Sequence, residues 1–172
     1  MNLVGKIISF VFAMLVFFIL PISYHAQKQD ALIQVFVQTE TTKFADAIKC
    51  NGYIDEEMYL SFLAVLDSTG ILYEVTMDHA HVITEPELDD AGAVTGYYEY
   101  SLSTYESEML DRIYQENGRY KMSQGDYFSV KVNNRTNTYK DFFDHLLYGA
   151  KTSEYSVFAT AGGKILDEEE GM

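Results

Sequence analysis

The residues best placed to do chemistry are two histidines. In Asp78-His79-Ala80-His81 they stand two apart, which in an extended strand puts both imidazoles on one face, near enough to share a metal ion. A metal centre needs a third ligand, and the other two histidines, His25 and His145, have no spacing that predicts convergence on the pair. The alternation of the segment sets His79 and His81 in a row with Tyr73 and Met77, finishing the sheet beyond the core. Glu85, Glu87, Asp89 and Asp90 could offer oxygens to calcium, but the ordered loop with its glycine and terminal glutamate is missing. Gly162-Gly163-Lys164 lacks the upstream glycine and the following Ser or Thr of a phosphate loop, and it reads as a turn. Asn134-Arg135-Thr136 fits the glycosylation triplet, a pattern short enough to arise by chance in a loop. Cys50 is the single cysteine, which excludes an internal disulfide, and it reads as a small buried residue at a helix end. These patterns assign no catalytic, cofactor-binding or metal-binding residue, and the chain is not expected to be an enzyme.

The elements around these residues are organised by the first stretch, Leu3 to Tyr24. Ile7 to Leu20 is apolar except for Ser9, and no charge occurs between Lys6 and Lys28. Ile7 to Tyr24 would make about 27 Å of helix at roughly 1.5 Å per residue, close to the thickness of a hydrocarbon core. A retained anchor over residues 1–24 is the first expectation, with the bilayer as its partner through residues 3–24. A cleaved signal peptide is the second, although the best cut, after Ala26, leaves Tyr24 where a small residue belongs. A buried core helix is the third. Lys6 and the free amino terminus favour a cytoplasmic N-terminus, which places residues 25–172 outside as one extracytoplasmic domain.

The pattern continues past the apolar run. Ile33, Val37, Thr41, Phe44 and Ile48 fall four, four, three and four apart, so one long helix is expected to pass Pro21 and dock the domain through Ile33, Val37, Phe44 and Ile48. Leu32 and Phe36 widen that stripe, and Cys50-Asn51-Gly52 ends it. Asp55 caps a second helix with Tyr59, Phe62, Leu63 and Leu66 inward. Ile71 to Ile83 alternates as a strand, Glu85 to Gly96 reads as a mobile connection, and Tyr97 to Leu102 returns. A helix from Thr104 carrying Leu110, Ile113 and Tyr114 follows, then a strand with Phe128, Val130 and Val132. Tyr139 to Tyr148 is a helix with Phe142, Phe143, Leu146 and Leu147 inward, Tyr155 to Ala161 is the last strand, and Asp167 to Met172 is an acidic tail. The order predicts an α+β fold: a long N-terminal helix, then a small, mostly antiparallel sheet with helices on one face.

Charge is concentrated. Residues 55–116 hold fifteen acids and one base, Arg112, and no Lys or Arg lies between Lys49 and Arg112. Such a field repels nucleic acid, which is excluded as a partner. One reading of that charge is a solvated face and mobile loop that keep an exported domain soluble; the other is a docking surface for a basic protein partner, with Glu85, Glu87, Asp89 and Asp90 as its candidate residues.

Three stretches carry a resemblance. KIISFVFAMLVFFILPI, TKFADAIKCNGYIDEEMYLSFLAVLDSTGILYEVTMDH and MSQGDYFSVKVNN resemble small anchored TadE-like, pilin-like proteins of Gram-positive Flp-type (tight-adherence) pilus loci. The resemblance implies an extracytoplasmic minor pilin or assembly component whose first helix is the assembly element, with other pilus or secretion-apparatus proteins as partners. One departure is plain: Gly5 is followed by Lys6 and no acid precedes Asp30, whereas ordinary type IV prepilins carry a glutamate five residues into the helix. The alternative function is an exported domain that binds a small ligand or a protein after its signal peptide is cleaved.

Overall fold

The computed structural model describes residues 3–89, 92–115, 118–149 and 157–166. Helix α1 runs without a break from Leu3 to Asn51, through Pro21. Its apolar half is long and apolar enough to cross a bilayer, and none of that window is buried by the protein. Its second half is the spine of an α+β domain.

After α1 come strand β1 (Tyr53–Asp55) and helix α2 (Glu56–Asp67). Asp55 caps α2 by accepting from the Met58 amide at 2.9 Å, as its position before two glutamates leads one to expect. Then follow β2 (Tyr73–Leu88), β3 (Val94–Tyr105), α3 (Glu106–Gln115), β4 (Arg119–Lys121), β5 (Tyr127–Asn134), α4 (Tyr139–Tyr148) and β6 (Phe158–Lys164). The main sheet is antiparallel in the order β3-β2-β5-β6, and β1 pairs with β4 in a small second sheet.

The core lies between α1, α2, α3 and one face of the sheet. Val37, Phe44 and Ile48 are buried as the spacing predicts, with Ala45 beside them and Ile33 half-buried at the margin. The Phe44 ring stacks on Phe62 at 4.2 Å, the contact that joins α1 to α2. From the sheet come Val75, Met77, Phe128, Val130, Val132, Val157 and Ala159. Leu32 and Phe36 do not widen the buried stripe: both are exposed, because the domain covers only one side of α1. In α3, Met109 and Ile113 are buried, whereas Tyr114 faces out. Cys50 is exposed rather than buried, since its side of the last turn faces away from the sheet.

The molecule has two ends. Gln34 grips the backbone of Phe158 at both its amide and its carbonyl, Gln38 donates to Thr160 O at 3.1 Å, and Leu166 N donates to Lys49 O at 2.9 Å. So α1 and β6 run in the same direction, and these glutamines cover an edge that would otherwise lie open. Tyr73, Asn134 and Phe158 mark the sheet's proximal end, beside the apolar half of α1. At the distal end β5 stops pairing with β2 at Ala80, but β2 continues to Leu88, paired only with β3. Its last eight residues therefore form a two-stranded arm, about 26 Å long at roughly 3.3 Å per residue, that points away from the apolar half of α1.

That arm corrects the expected mobile connection at Glu85 to Gly96: Glu85–Leu88 and Val94–Gly96 are strand. Pro86 is tolerated because β2 has no second neighbour there, so no ladder bond is lost. The last strand also differs. It continues through Gly162 and Gly163, because a Cβ at Gly162 would meet Phe128 O at 2.4 Å and Ser129 Cα at 2.8 Å. Gly162 permits a close approach to β5 within the sheet, Gly163 lies against the Lys49 side chain of α1, and both belong to the strand. Tyr155 and the acidic tail Asp167 to Met172 lie outside the described residues.

Candidate functional site

His79 and His81 do share one face of β2, and both turn to a carboxylate. His79 Nε2 lies 2.9 Å from Asp126 Oδ2, and His81 Nδ1 lies 2.8 Å from Asp126 Oδ1. The same two oxygens accept the Ser123 amide at 2.9 Å and the Val82 amide at 3.0 Å. Tyr120 Oη sits 2.7 Å from His79 Nδ1. Tyr120, His79 and Asp126 are buried, whereas His81 is partly open to solvent.

The electrostatics of this group follow from its burial and its bonds. Burial alone would raise the Asp126 carboxyl, but donation from His81, Val82, Ser123 and His79 outweighs it and holds the group below the usual carboxylate range. Burial pushes His79 down, with Asp126 opposing. A neutral His79 beside an ionised Asp126 must donate from Nε2, which leaves Nδ1 to accept the Tyr120 hydroxyl. The chain Tyr120–His79–Asp126 therefore pins β2, β4 and the turn before β5 to one another. Among the described residues no group of three or more His, Cys, Asp or Glu could hold a metal ion. His25 and His145 are exposed, and His145 belongs to the proximal end.

Of the candidate docking acids, Glu85 and Glu87 lie on the arm and Asp89 at its turn, while Asp90 falls outside the described residues. Tyr98 and Tyr100 both donate to Glu85, and these bonds hold its carboxyl below the usual range. The cluster stands among exposed apolar and aromatic side chains: Leu88, Val94, Tyr97 and Leu102. β3 is the outer strand of the sheet and carries a single charge, Glu99, and among the described residues no strand pairs with its outer side.

The proximal end holds a cavity of about 840 Å³ between α1, α4 and the loops at the sheet's end, lined by Asp30, Ile33, Asp141, Phe142 and His145 among others. Burial raises the Asp30 carboxyl, against the bond from the Thr138 hydroxyl. Thr138 also caps α4: its hydroxyl accepts the Asp141 amide at 3.3 Å and Asp141 accepts the Thr138 amide at 2.9 Å, a reciprocal box. Asn134 is buried, donating to Thr136 O at 2.9 Å and accepting from Val157 N at 3.0 Å, so the triplet it opens closes the end of β5. Comparison with protein-family models, with curated proteins and with solved structures gave no match for this chain.

Proposed function

We propose that this chain is a membrane-anchored structural or assembly component of a surface apparatus, akin to the TadE-like proteins of tight-adherence pilus loci that its sequence resembles. The observation that carries the reading is α1. One uninterrupted helix is uncovered along its apolar run, then supplies Val37, Phe44 and Ile48 to the core further on. A cleaved signal peptide has no need of helical continuity with the domain it exports. Lys6 at the near end favours a cytoplasmic N-terminus and an extracytoplasmic domain. The arm then projects outward, carrying acids and exposed aromatics to where a basic protein partner of the apparatus would meet them; such a charge acts mainly on association rate and fades with salt. The role is non-catalytic.

Two experiments test this. Cys50 is the single cysteine and is exposed, so a membrane-impermeant maleimide should label it in intact cells; labelling only after permeabilisation would reverse the orientation. In cells that depend on the protein for surface fibres, Glu85→Gln, Glu87→Gln and Asp89→Asn together should impair assembly while membrane levels stay unchanged. Normal fibres with that triple variant would remove the docking role of the arm.

A second reading has one observation in its favour. A cavity of about 840 Å³ is within the size range of small-molecule sites, about 300–1,000 Å³, which suits a ligand-binding domain. The continuity of α1 favours the first.

A further inference from the structure

Helix α4 is turned inside out. Asp141 is 3 % exposed, whereas Tyr139, Phe142 and Leu146 are 68 %, 61 % and 58 % exposed. Positions three and four apart lie on one helical face, so these three side chains form an exposed stripe, of which Tyr139 and Phe142 also border the proximal cavity. Phe143 and Leu147, on the adjoining strip, are only half-buried. The expectation that Phe142 and Leu146 point inward is therefore overturned, and the reason is local. The capping box at Thr138 and its bond to Asp30 fix the rotation of the helix with its carboxylate inside.

The position of α4 says what covers the stripe. α4 packs on α1, and its cap meets α1 at Asp30. Below Asp30, Ala26 and Ser23 continue the same buried face of α1, one and two turns nearer the apolar run. Ser23 to Asp30 spans about 10 Å, within the roughly 15 Å that the ten residues of α4 can cover. A hydrocarbon core of about 30 Å, counted from Leu3 at about 1.5 Å per residue, ends near Ile22, and the headgroup layer adds roughly 5–8 Å. The lower part of the segment beside α4, residues 23 to about 27, thus crosses the headgroups, and Asp30 stands just beyond them. Tyr24 is exposed at this level, with the Lys28 ammonium 4.7 Å from its ring centre, a pairing suited to the interface.

We propose that α4 is an interfacial helix: Tyr139, Phe142 and Leu146 enter the outer leaflet, so that the domain touches the bilayer at α4 as well as through α1. This rests on the anchor reading above. It deepens that reading, since a second contact fixes the tilt of the domain and keeps the β2–β3 arm directed outward. Lys140 and Asp144 pair with each other at 2.9 Å on the flank of the helix, leaving the apolar stripe free of an opposing charge. A second copy is the weaker occupant, because two domains from a chain of net charge −14 repel.

The chain has no tryptophan, so a single introduced Trp reports one position. Full-length Phe17→Trp, Phe142→Trp, Leu146→Trp and Tyr97→Trp are reconstituted into phosphatidylcholine vesicles, with and without lipids brominated near the headgroup end of the acyl chain. Emission from Phe142→Trp and Leu146→Trp should be blue-shifted and quenched by the brominated lipid, whereas Tyr97→Trp on the arm should be neither. Quenching at Phe17→Trp alone overturns the interfacial helix and leaves the anchor standing. Blue-shifted but unquenched emission at positions 142 and 146 means a protein covers the stripe, which also overturns the proposal. Absence of quenching at Phe17→Trp overturns both the anchor and the helix that rests on it.

Discussion

Asp126→Asn is the most informative single change in the domain. The substitution keeps shape and volume but replaces one acceptor oxygen with an amide donor. Asp126 accepts four bonds, His79 Nε2 at 2.9 Å and Ser123 N at 2.9 Å on one oxygen, His81 Nδ1 at 2.8 Å and Val82 N at 3.0 Å on the other. Whichever way Asn is turned, one backbone amide and one imidazole face a donor. The imidazole can shift its proton to the other nitrogen, with Tyr120 accepting in place of donating, but the backbone amide has no such escape. A buried donor left without a partner costs about 1–3 kcal/mol, and bonds to a charged acceptor are worth about 1.5–3 kcal/mol against 0.5–1.5 for neutral ones. The expected loss is about 2–4 kcal/mol, or about 6–15 °C in Tm for a domain of this size. Near-ultraviolet circular dichroism of the full chain in detergent micelles, carried by its tyrosines, measures it. A shift under about 2 °C would refute the assignment of Asp126 as a buried acceptor shared by four donors.

The same group sets the acid response of the wild type. His79 is depressed in the fold, so below its unfolded value the unfolded chain takes up the proton first, and stability falls as pH drops through about 6.5. Asp126 is also depressed, so its contribution is present above the unfolded value and is lost as pH falls through its lower folded value. The two losses add, and Asp126→Asn should flatten the lower one.

Three further outcomes follow from named contacts. Phe44→Ala removes the ring stacked on Phe62 and should cost about 3–5 kcal/mol by chemical denaturation; an unchanged midpoint would reduce α1 to a stalk. Gly162→Ala forces a Cβ to within 2.4 Å of Phe128 O and should destabilise the β5–β6 pair, seen as faster amide exchange there, while exchange equal to wild type would show that β6 can shift freely. Asp30 has a raised carboxyl, so native protein takes up its proton first and this group's contribution weakens as pH rises from the unfolded value through the folded one. Asp30→Asn, which can still accept from Thr138, should therefore remove that slope at mildly acid pH; an unaltered profile would mean Asp30 is not the group responsible.

What the sequence made legible was local. The apolar run, the docking period through Val37, Phe44 and Ile48, the Asp55 cap and the alternation of β2 are each carried by residues within a few positions of one another. The role of Asp126 is not local: it depends on β5 lying beside β2, and strand order is set by long-range closure that no short pattern encodes. Two imidazoles on one strand face do call for a shared acceptor, but nothing in the spacing of the sequence marks Asp126 as the residue that supplies it. The three-residue strands β1 and β4 are too short to leave a period at all. Phe142 and Leu146 misled because an apolar helical stripe was assigned to the core, whereas the cap at Thr138 turns α4 the other way. The arm is hidden in the sequence because Pro86 and the glycines read as breakers, whereas β2 pairs there with β3 alone and the proline disrupts no second ladder.

The most direct measurement is the intact mass and N-terminus of the protein in washed membranes of cells that make it. If α1 is both anchor and spine, the membrane fraction should hold the chain of about 19.6 kDa with its apolar run attached. A soluble exported product beginning at Gln27 would contradict it.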